Sequence, residues 1–206
     1  MKMSNERRPY RSAVRDEAAL ENRARVLAAA IRLLGTPETS AMSMEAVAKA
    51  AGVTRLTVYN QFGSRSALLE EIFDELARLG DLARIAEAMA MPDPRAALAR
   101  LVEIFCEFWG SDPAVDRLNR NASMDEEFAS ALAARHERRR KALSVLVRRL
   151  AQAGHLAAEN SAAATDVLFA LTSPDFYRTL STGRRKRSET CALIVRLCNA
   201  AIAEFE

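Results

Sequence analysis

Apolar residues recur at three- and four-residue steps along most of the 206-residue chain, and short polar breakers separate the runs. This spacing is typical of amphipathic helices, which bury one face and expose the other. No run shows the alternation expected of a half-buried strand. The pattern therefore predicts an all-α fold.

Nine helices are expected between the breakers, which are rich in Gly, Pro, Asp and Ser. They are placed at residues 17–34, 43–50, 54–61, 65–80, 94–109, 113–120, 125–152, 160–180 and 188–204. Within 160–180, Ser173 followed by Pro174 predicts a restart, with Ser as the cap and Pro at the first helical position.

Residues 43–65 carry the most informative pattern, because two short helices there flank a tight turn. Gly52 tolerates the positive φ that ends a helix, and Thr54 can cap the next helix. This arrangement predicts a helix-turn-helix. At about 100° per residue, Val58 and Phe62 of the second helix fall on one inward face.

The opposite face of that helix carries side chains suited to contact with DNA. Tyr, Thr and Arg bind phosphates, Asn and Arg bond base edges, and Leu can meet a thymine methyl group. These outward residues are Arg55, Leu56, Thr57, Tyr59 and Asn60. Taken alone, the geometry also fits a small helical corner with a solvated face.

Charge is distributed unevenly, and this favours the DNA-binding interpretation. The net charge is +3, but residues 1–65 have a balance of +5 and the remaining residues a balance of −2. The positive field therefore coincides with the motif, as attraction to phosphate requires. The Arg-rich segment 1–16 is predicted to be a flexible arm that contacts DNA or serves as a solubilising tail.

Three segments together resemble the DNA-binding domain of TetR-family transcriptional regulators: RVLAAAIRLL from residue 25, SMEAVAKAAGVT from residue 43 and TVYNQFGSRSALL from residue 57. The resemblance is detailed over about residues 20–75 and extends beyond them in helix order and length. It implies a three-helix DNA-binding domain at 17–64, a linking helix at about 65–80, and a helical effector-binding and dimerisation domain at 81–206.

The resemblance also assigns roles to individual residues. Ser43 is expected to hold a phosphate, and Arg65 to grip the DNA backbone. The residues expected in the major groove are Thr54, Arg55, Leu56, Thr57, Tyr59 and Asn60. Two departures from the family pattern are Leu56, where a small residue is frequent, and Arg65, where Lys is usual; the second alters contact geometry but keeps the charge.

Aromatic, Met and His side chains of the second domain are candidates for an effector pocket, although such residues also form plain core. The candidates are Phe105, Phe108, Trp109, Met124, Phe128, His136, Phe169 and Tyr177. Apolar stripes in the last helices are candidates for a dimer interface or for packing within one subunit. These stripe residues are Val167, Leu171, Leu193, Leu197 and Ala201.

The predicted function is that of a homodimeric, cytoplasmic repressor that leaves a palindromic double-stranded DNA operator when a small-molecule effector binds. An activator, or a helical binding module with a vestigial helix-turn-helix, remains the alternative. The sequence shows no secretory leader or apolar run long enough to span a membrane.

An enzyme is not expected, because the two His and three Cys lack metal-ligand spacing and no nucleotide or nucleophile motif is present. No metal or cofactor is predicted. Cys106 is interpreted as a buried apolar residue or a redox sensor. The basic runs 135–141 and 184–187 are interpreted as solvated surface, with neutralisation of an anionic effector as an alternative for the second.

Overall fold

A computed structural model of the chain describes residues 8–36, 42–121 and 125–206, with the side chains of 8–16 and of residue 121 left aside. The described residues form α-helices and short 3-10 turns without strands, in agreement with the all-α prediction. The chain divides into two compact units, Met1–Ile72 and Phe73–Glu206.

The first unit is built on α-helices that enclose one apolar core. Their bounds are α1 Arg8–Gly35, α2 Met44–Ala51, α3 Arg55–Phe62 and the beginning of α4 Arg65–Leu79. Val26, Val47 and Val58 are fully buried in this core. Leu68 and Leu69 are fully buried as well, so the beginning of α4 is an integral part of the first unit. The compact unit accordingly ends at Ile72, within the helix that was predicted to link the two domains.

Helix α1 begins earlier than the sequence pattern suggested. Its backbone is helical from Arg8, not from about residue 17. Residues 8–16 include three Arg and an Ala, which are strong helix formers, and the single Pro of this segment falls in the first turn, where it is tolerated. The segment was predicted to be a flexible arm only because it is polar and rich in Arg. The remainder of the predicted arm, residues 1–7, lies outside the described residues.

The second unit continues from the end of α4 through a 3-10 turn, Leu82–Arg84, into further helices. These are α5 Ile85–Ala90, α6 Pro94–Trp109, α7 Pro113–Asn121, α8 Glu126–Gln152, α9 Ser161–Leu171, α10 Pro174–Leu180 and α11 Arg187–Ala203. Helix α6 is central, since nine of its residues are buried. Its long apolar stripe packs against α8 and α11.

Side-chain caps explain where several of these helices begin. The Asp93 carboxylate accepts from the Arg95 N–H, and the Asp125 carboxylate accepts from the Phe128 N–H. The Ser173 hydroxyl accepts from the Phe176 N–H at 3.1 Å, which confirms the predicted restart at Pro174. The short helix α5 was not predicted, because its six residues are too few to establish a periodic pattern.

Candidate nucleic-acid interface and cavity

Helices α2 and α3 form the predicted helix-turn-helix through caps on both sides of the turn. Gly52 adopts φ 68° and ψ 33°, and the Val53 N–H donates to the Ala48 carbonyl at 3.0 Å. A left-handed residue with this hydrogen bond is the usual way to end a helix at Gly. The Thr54 hydroxyl then accepts from the Thr57 N–H at 3.1 Å and starts α3.

The orientation of α3 follows the predicted wheel. Val58 is fully buried and Phe62 is 6% exposed, whereas Leu56 is 68% exposed. Arg55, Tyr59 and Asn60 are exposed beside Leu56. Two inward apolar residues therefore fix the helix, and its polar face with one aliphatic side chain is turned toward solvent.

Side chains on the exposed face also contact one another. Arg55 Nη2 donates to the Tyr59 hydroxyl at 3.3 Å, and the guanidinium carbon lies 5.3 Å from the centre of the Tyr59 ring. The hydroxyl oxygens of Thr54 and Thr57 are 2.8 Å apart. These contacts pre-order a cation and three hydroxyls on one surface, which is suitable for binding the sugar-phosphate backbone and base edges of DNA.

The two residues expected to hold the DNA backbone are joined through Met42, which precedes Ser43 in the chain. The Ser43 hydroxyl caps α2 by accepting from the Ala46 N–H at 3.1 Å, which leaves its own hydrogen for an external acceptor. Arg65 Nε donates to the Met42 carbonyl at 3.0 Å, so this side chain ties the start of α4 to the start of α2.

Arg23 is a positioning residue that the sequence analysis missed. Its Nη1 donates to the Gln61 carbonyl at 2.8 Å, its Nη2 pairs with Glu71 at 2.5 Å, and its guanidinium carbon lies 4.6 Å from the centre of the Phe62 ring. These contacts hold the end of α3. The sequence did contain a signal for this role, because Arg23 lies one helical turn from Leu20 and Leu27 of the apolar stripe of α1.

Comparison with known proteins finds similarity to one group of bacterial regulators. The model of bacterial regulatory proteins of the tetR family matches residues 26–72, the segment that contains α2 and α3. The chain is 37% identical over 103 residues to the HTH-type transcriptional regulator EthR of Mycolicibacterium smegmatis, covering 50% of this chain and 48% of that protein. It is 30% identical over 130 residues to AcrR of Shigella flexneri, covering 53% and 60%.

Over residues 26–72 the chain is therefore similar to the regulatory proteins of the tetR family. The matches to the curated relatives span only about half of their length. The fold similarity is more extensive. PfmR of Thermus thermophilus has a TM-score of 0.69 at 22% identity, covering 85% of this chain and 97% of that one. FadR of Bacillus subtilis, solved with stearoyl-CoA, has a TM-score of 0.67 at 13% identity, covering 87% and 98%.

The second unit contains a cavity of about 280 Å³. Apolar side chains dominate one part of its wall and α8 supplies basic and imidazole groups. The lining residues are Phe73, Leu82, Ile85, Phe105, Phe108, Trp109, Arg135, His136, Arg138, Arg139 and Ala142. Of the predicted pocket residues, Phe105, Phe108, Trp109 and His136 therefore line this cavity.

The other predicted pocket residues have different surroundings. Phe128 is fully buried and does not line the cavity. The ring of Phe169 lies beneath the guanidinium of Arg139, 4.0 Å from its carbon. Tyr177 lines a separate pocket of about 400 Å³ with Trp109 and Pro113. Met124 lies outside the described residues. Periodicity placed Phe128 and Phe169 on inward faces, but it could not specify which of them the packing would leave beside empty space.

The predicted dimer residues form the outer part of α9 and α11. Val167 and Leu197 are each 36% exposed, while Leu168 and Ile194 are fully buried inside the subunit. Leu171, Leu193 and Ala201 are half-buried. Each helix therefore has an inner apolar row that serves the core and an outer apolar row that is open on this chain.

In the described parts of the chain, no group of three or more His, Cys, Asp or Glu residues is arranged to hold a metal ion. Cys106 is fully buried, and its hydrogen bond with Cys191 together with burial raises the pKa of its thiol. A thiol held in the neutral form is a poor nucleophile. No described helix is long and apolar enough to cross a membrane.

Proposed function

We propose that the chain is a TetR-family regulator that acts in the cytoplasm, where it binds double-stranded operator DNA through α3 and represses transcription. The observation that carries the proposal is the outward face of α3, where Arg55, Leu56, Tyr59 and Asn60 are exposed while Val58 is fully buried. Arg55 and Asn60 would read base edges, and Leu56 would meet a thymine methyl group.

Ser43, Thr54, Thr57 and Arg65 would bind the DNA backbone. Three of them bear hydroxyls at the starts of α2 and α3. Because unpaired N–H groups and the helix dipole favour anions at these positions, a phosphate there is stabilised without base specificity. Affinity should therefore fall steeply as salt concentration rises.

Operator reading would be performed by a homodimer that pairs through the outer row of α9 and α11. Val167 and Leu197 are exposed apolar residues on neighbouring helices of the same unit. Pairing such rows across a two-fold axis would produce a four-helix interface and a palindromic operator.

A small molecule bound in the second unit would release the operator. The cavity of about 280 Å³ beside Trp109 and His136 supports this part of the proposal. Release requires that the effector bind the DNA-free arrangement of the dimer more tightly than the operator-bound arrangement.

The test is a fluorescence-anisotropy titration of the full-length protein against labelled DNA from upstream of its own gene. The variant Arg55→Ala should weaken specific binding by about 5- to 150-fold, the usual range for one lost base contact. Arg148→Ala is the charge-matched control, because Arg148 lies exposed on α8, outside the proposed DNA-binding and dimer surfaces. Equal losses in both variants, or a complex insensitive to salt, would reject specific reading by α3.

A further inference from the structure

Arg139 of α8 is a buried cation that has no acidic partner among the described residues. It is 6% exposed and lines the cavity beside Trp109. Its Nη1 donates to the Phe169 carbonyl at 2.8 Å and to the Thr172 hydroxyl at 2.6 Å, both neutral acceptors. Within the part of the chain that the structure describes, no carboxylate lies within 4 Å of its guanidinium, and its buried Nε has no acceptor.

Such a cation is energetically unfavourable without a further partner. Burial, with the nearby charge of Arg140 as a smaller cause, lowers the pKa of Arg139 to about 10. The guanidinium therefore remains protonated at neutral pH. A buried charge is normally retained only when it is paired and fully hydrogen-bonded, so Arg139 lacks one of its usual stabilising contacts.

The carboxylates of neighbouring helices already serve other arginines. The three pairs are Arg135 with Asp74, Arg140 with Asp166, and Arg178 with Asp175. A rotation of any one of these acids toward Arg139 would break an existing ion pair. An anion from outside the chain would complete the charge balance without that loss.

The other residues of the cavity wall indicate the size and the chemical character of the uncharged part of such an anion. Phe108 is 1% exposed and Trp109 is 7% exposed, and their ring centres lie 4.9 Å apart. Burial and the charge of Arg139 lower the pKa of His136 to about 4, so its imidazole is neutral at pH 7 and can exchange hydrogen bonds without adding charge. A volume of about 280 Å³ corresponds to roughly nine water molecules.

We propose that this cavity binds a small apolar monocarboxylate, whose carboxylate pairs with Arg139 and whose apolar body packs against Phe108 and Trp109. One available buried guanidinium matches a single negative charge, and the aromatic wall excludes a strongly hydrated polyanion. The regulatory consequence of binding rests on the proposed function, but the binding itself does not.

Trp109 makes direct measurement possible, because it is the single tryptophan of the chain and lines the cavity. The full-length protein would be titrated with hexanoate, benzoate, phenylacetate and 3-phenylpropionate while Trp109 emission is recorded. Each acid has a matched amide of nearly the same shape and no charge. At least one acid should bind saturably, and about thirtyfold or more tightly than its amide.

Variants at Arg139 assign that selectivity to one residue. Arg139→Met should weaken acid binding by about thirtyfold or more and leave the amide unchanged. Arg139→Gln provides a second test, since it removes the charge but keeps a side chain that can donate a hydrogen bond. The matched control is Arg140→Met, because Arg140 contacts the same Phe169 ring at 4.1 Å but does not line the cavity.

Three results would overturn the proposal: no acid of the series binds, the amides bind as tightly as the acids, or both Arg139 variants retain the wild-type affinity. The operator titration is then repeated with the bound acid present. Tight acid binding that leaves operator affinity unchanged would refute release by this ligand while the carboxylate site stands. If the wild-type protein does not bind the operator even when no acid is present, the proposed function is refuted and the carboxylate site is not.

Discussion

The outward face of α3 and the cavity of the second unit differ in how many parts of the chain create them. The face comes from one eight-residue helix, fixed by Val58 and Phe62. The cavity combines α4, α5, α6 and α8 with the 3-10 turn Leu82–Arg84. A site on one helix is encoded by local spacing, whereas a cavity depends on contacts between distant residues.

Two glycines allow the local and the long-range constraint to be compared directly. Gly52 has φ 68°, and a Cβ added there meets no atom within 4 Å. A Cβ added at Gly110 would overlap the Tyr177 hydroxyl oxygen and would lie 2.8 Å from Arg187 Cδ. The first position is constrained by backbone conformation and the second by packing.

The largest expected effect is that of Gly110→Ala. Because Tyr177 is 8% exposed, its ring has little room to move away from the added methyl group. We expect the free energy of unfolding to fall by about 3 kcal/mol, as overpacking of a filled site does. Urea unfolding followed by Trp109 fluorescence measures the change in the second unit.

Removal of the Tyr177 hydroxyl provides the control for this clash. In a Tyr177→Phe background, Gly110→Ala should cost less, although not zero, because the ring carbon Cζ would still lie 2.9 Å from the added Cβ. If Gly110→Ala lowers the free energy of unfolding equally in the wild-type and Tyr177→Phe proteins, the clash with the Tyr177 hydroxyl is not the source of the strain. Gly154→Ala, with φ 77° and open space around its Cβ, should cost only about 1 kcal/mol.

The same distinction explains how much of each site the sequence predicted. On α3, the apolar pair Val58 and Phe62 determined which residues face outward, and the structure agrees. In the second unit, the helices longer than α5 were located, and four of the predicted pocket residues line the cavity. Which buried aromatic side chains border empty space depends on how several helices pack, and single-helix periodicity does not contain that information.

Arg139 illustrates a signal that was present but hidden. It lies in the basic run 135–141, which was interpreted as solvated surface. Yet it falls seven residues after Leu132 and four before Leu143, on the buried face of α8. A charged residue in register with an apolar stripe is therefore a better indicator of a buried site than charge density alone.

Titration of His136 should affect the second unit, to which this residue belongs. Burial, then the charge of Arg139, lowers the pKa of folded His136 from 6.5 to about 4, with Asp175 opposing. As the pH falls, the unfolded chain binds this proton first. The contribution of neutral His136 to the free energy of unfolding is therefore fully present above pH 6.5 and is lost progressively toward pH 4.

The size of this loss can be isolated with His136→Gln, which is neutral throughout the range. Because the imidazole is partly exposed, solvent screening should limit the loss at pH 5 to roughly 1 to 2 kcal/mol. The measurement is the urea midpoint of both proteins, by Trp109 fluorescence, at pH 7 and pH 5. A difference between the proteins that stays constant with pH would show that His136 titrates normally.

The smallest expected effect is that of Gly52→Ala in the turn between α2 and α3. Since the added Cβ meets no atom, the cost should be the left-handed backbone strain alone, about 1 kcal/mol. Gly52→Asn should cost less, because Asn adopts positive φ more readily than Ala. Thermal unfolding followed by far-UV circular dichroism gives the order of the three proteins. Equal costs for Ala and Asn, or a cost near that of Gly110→Ala, would mean that this turn is held by packing, and the contrast between the two units would fail.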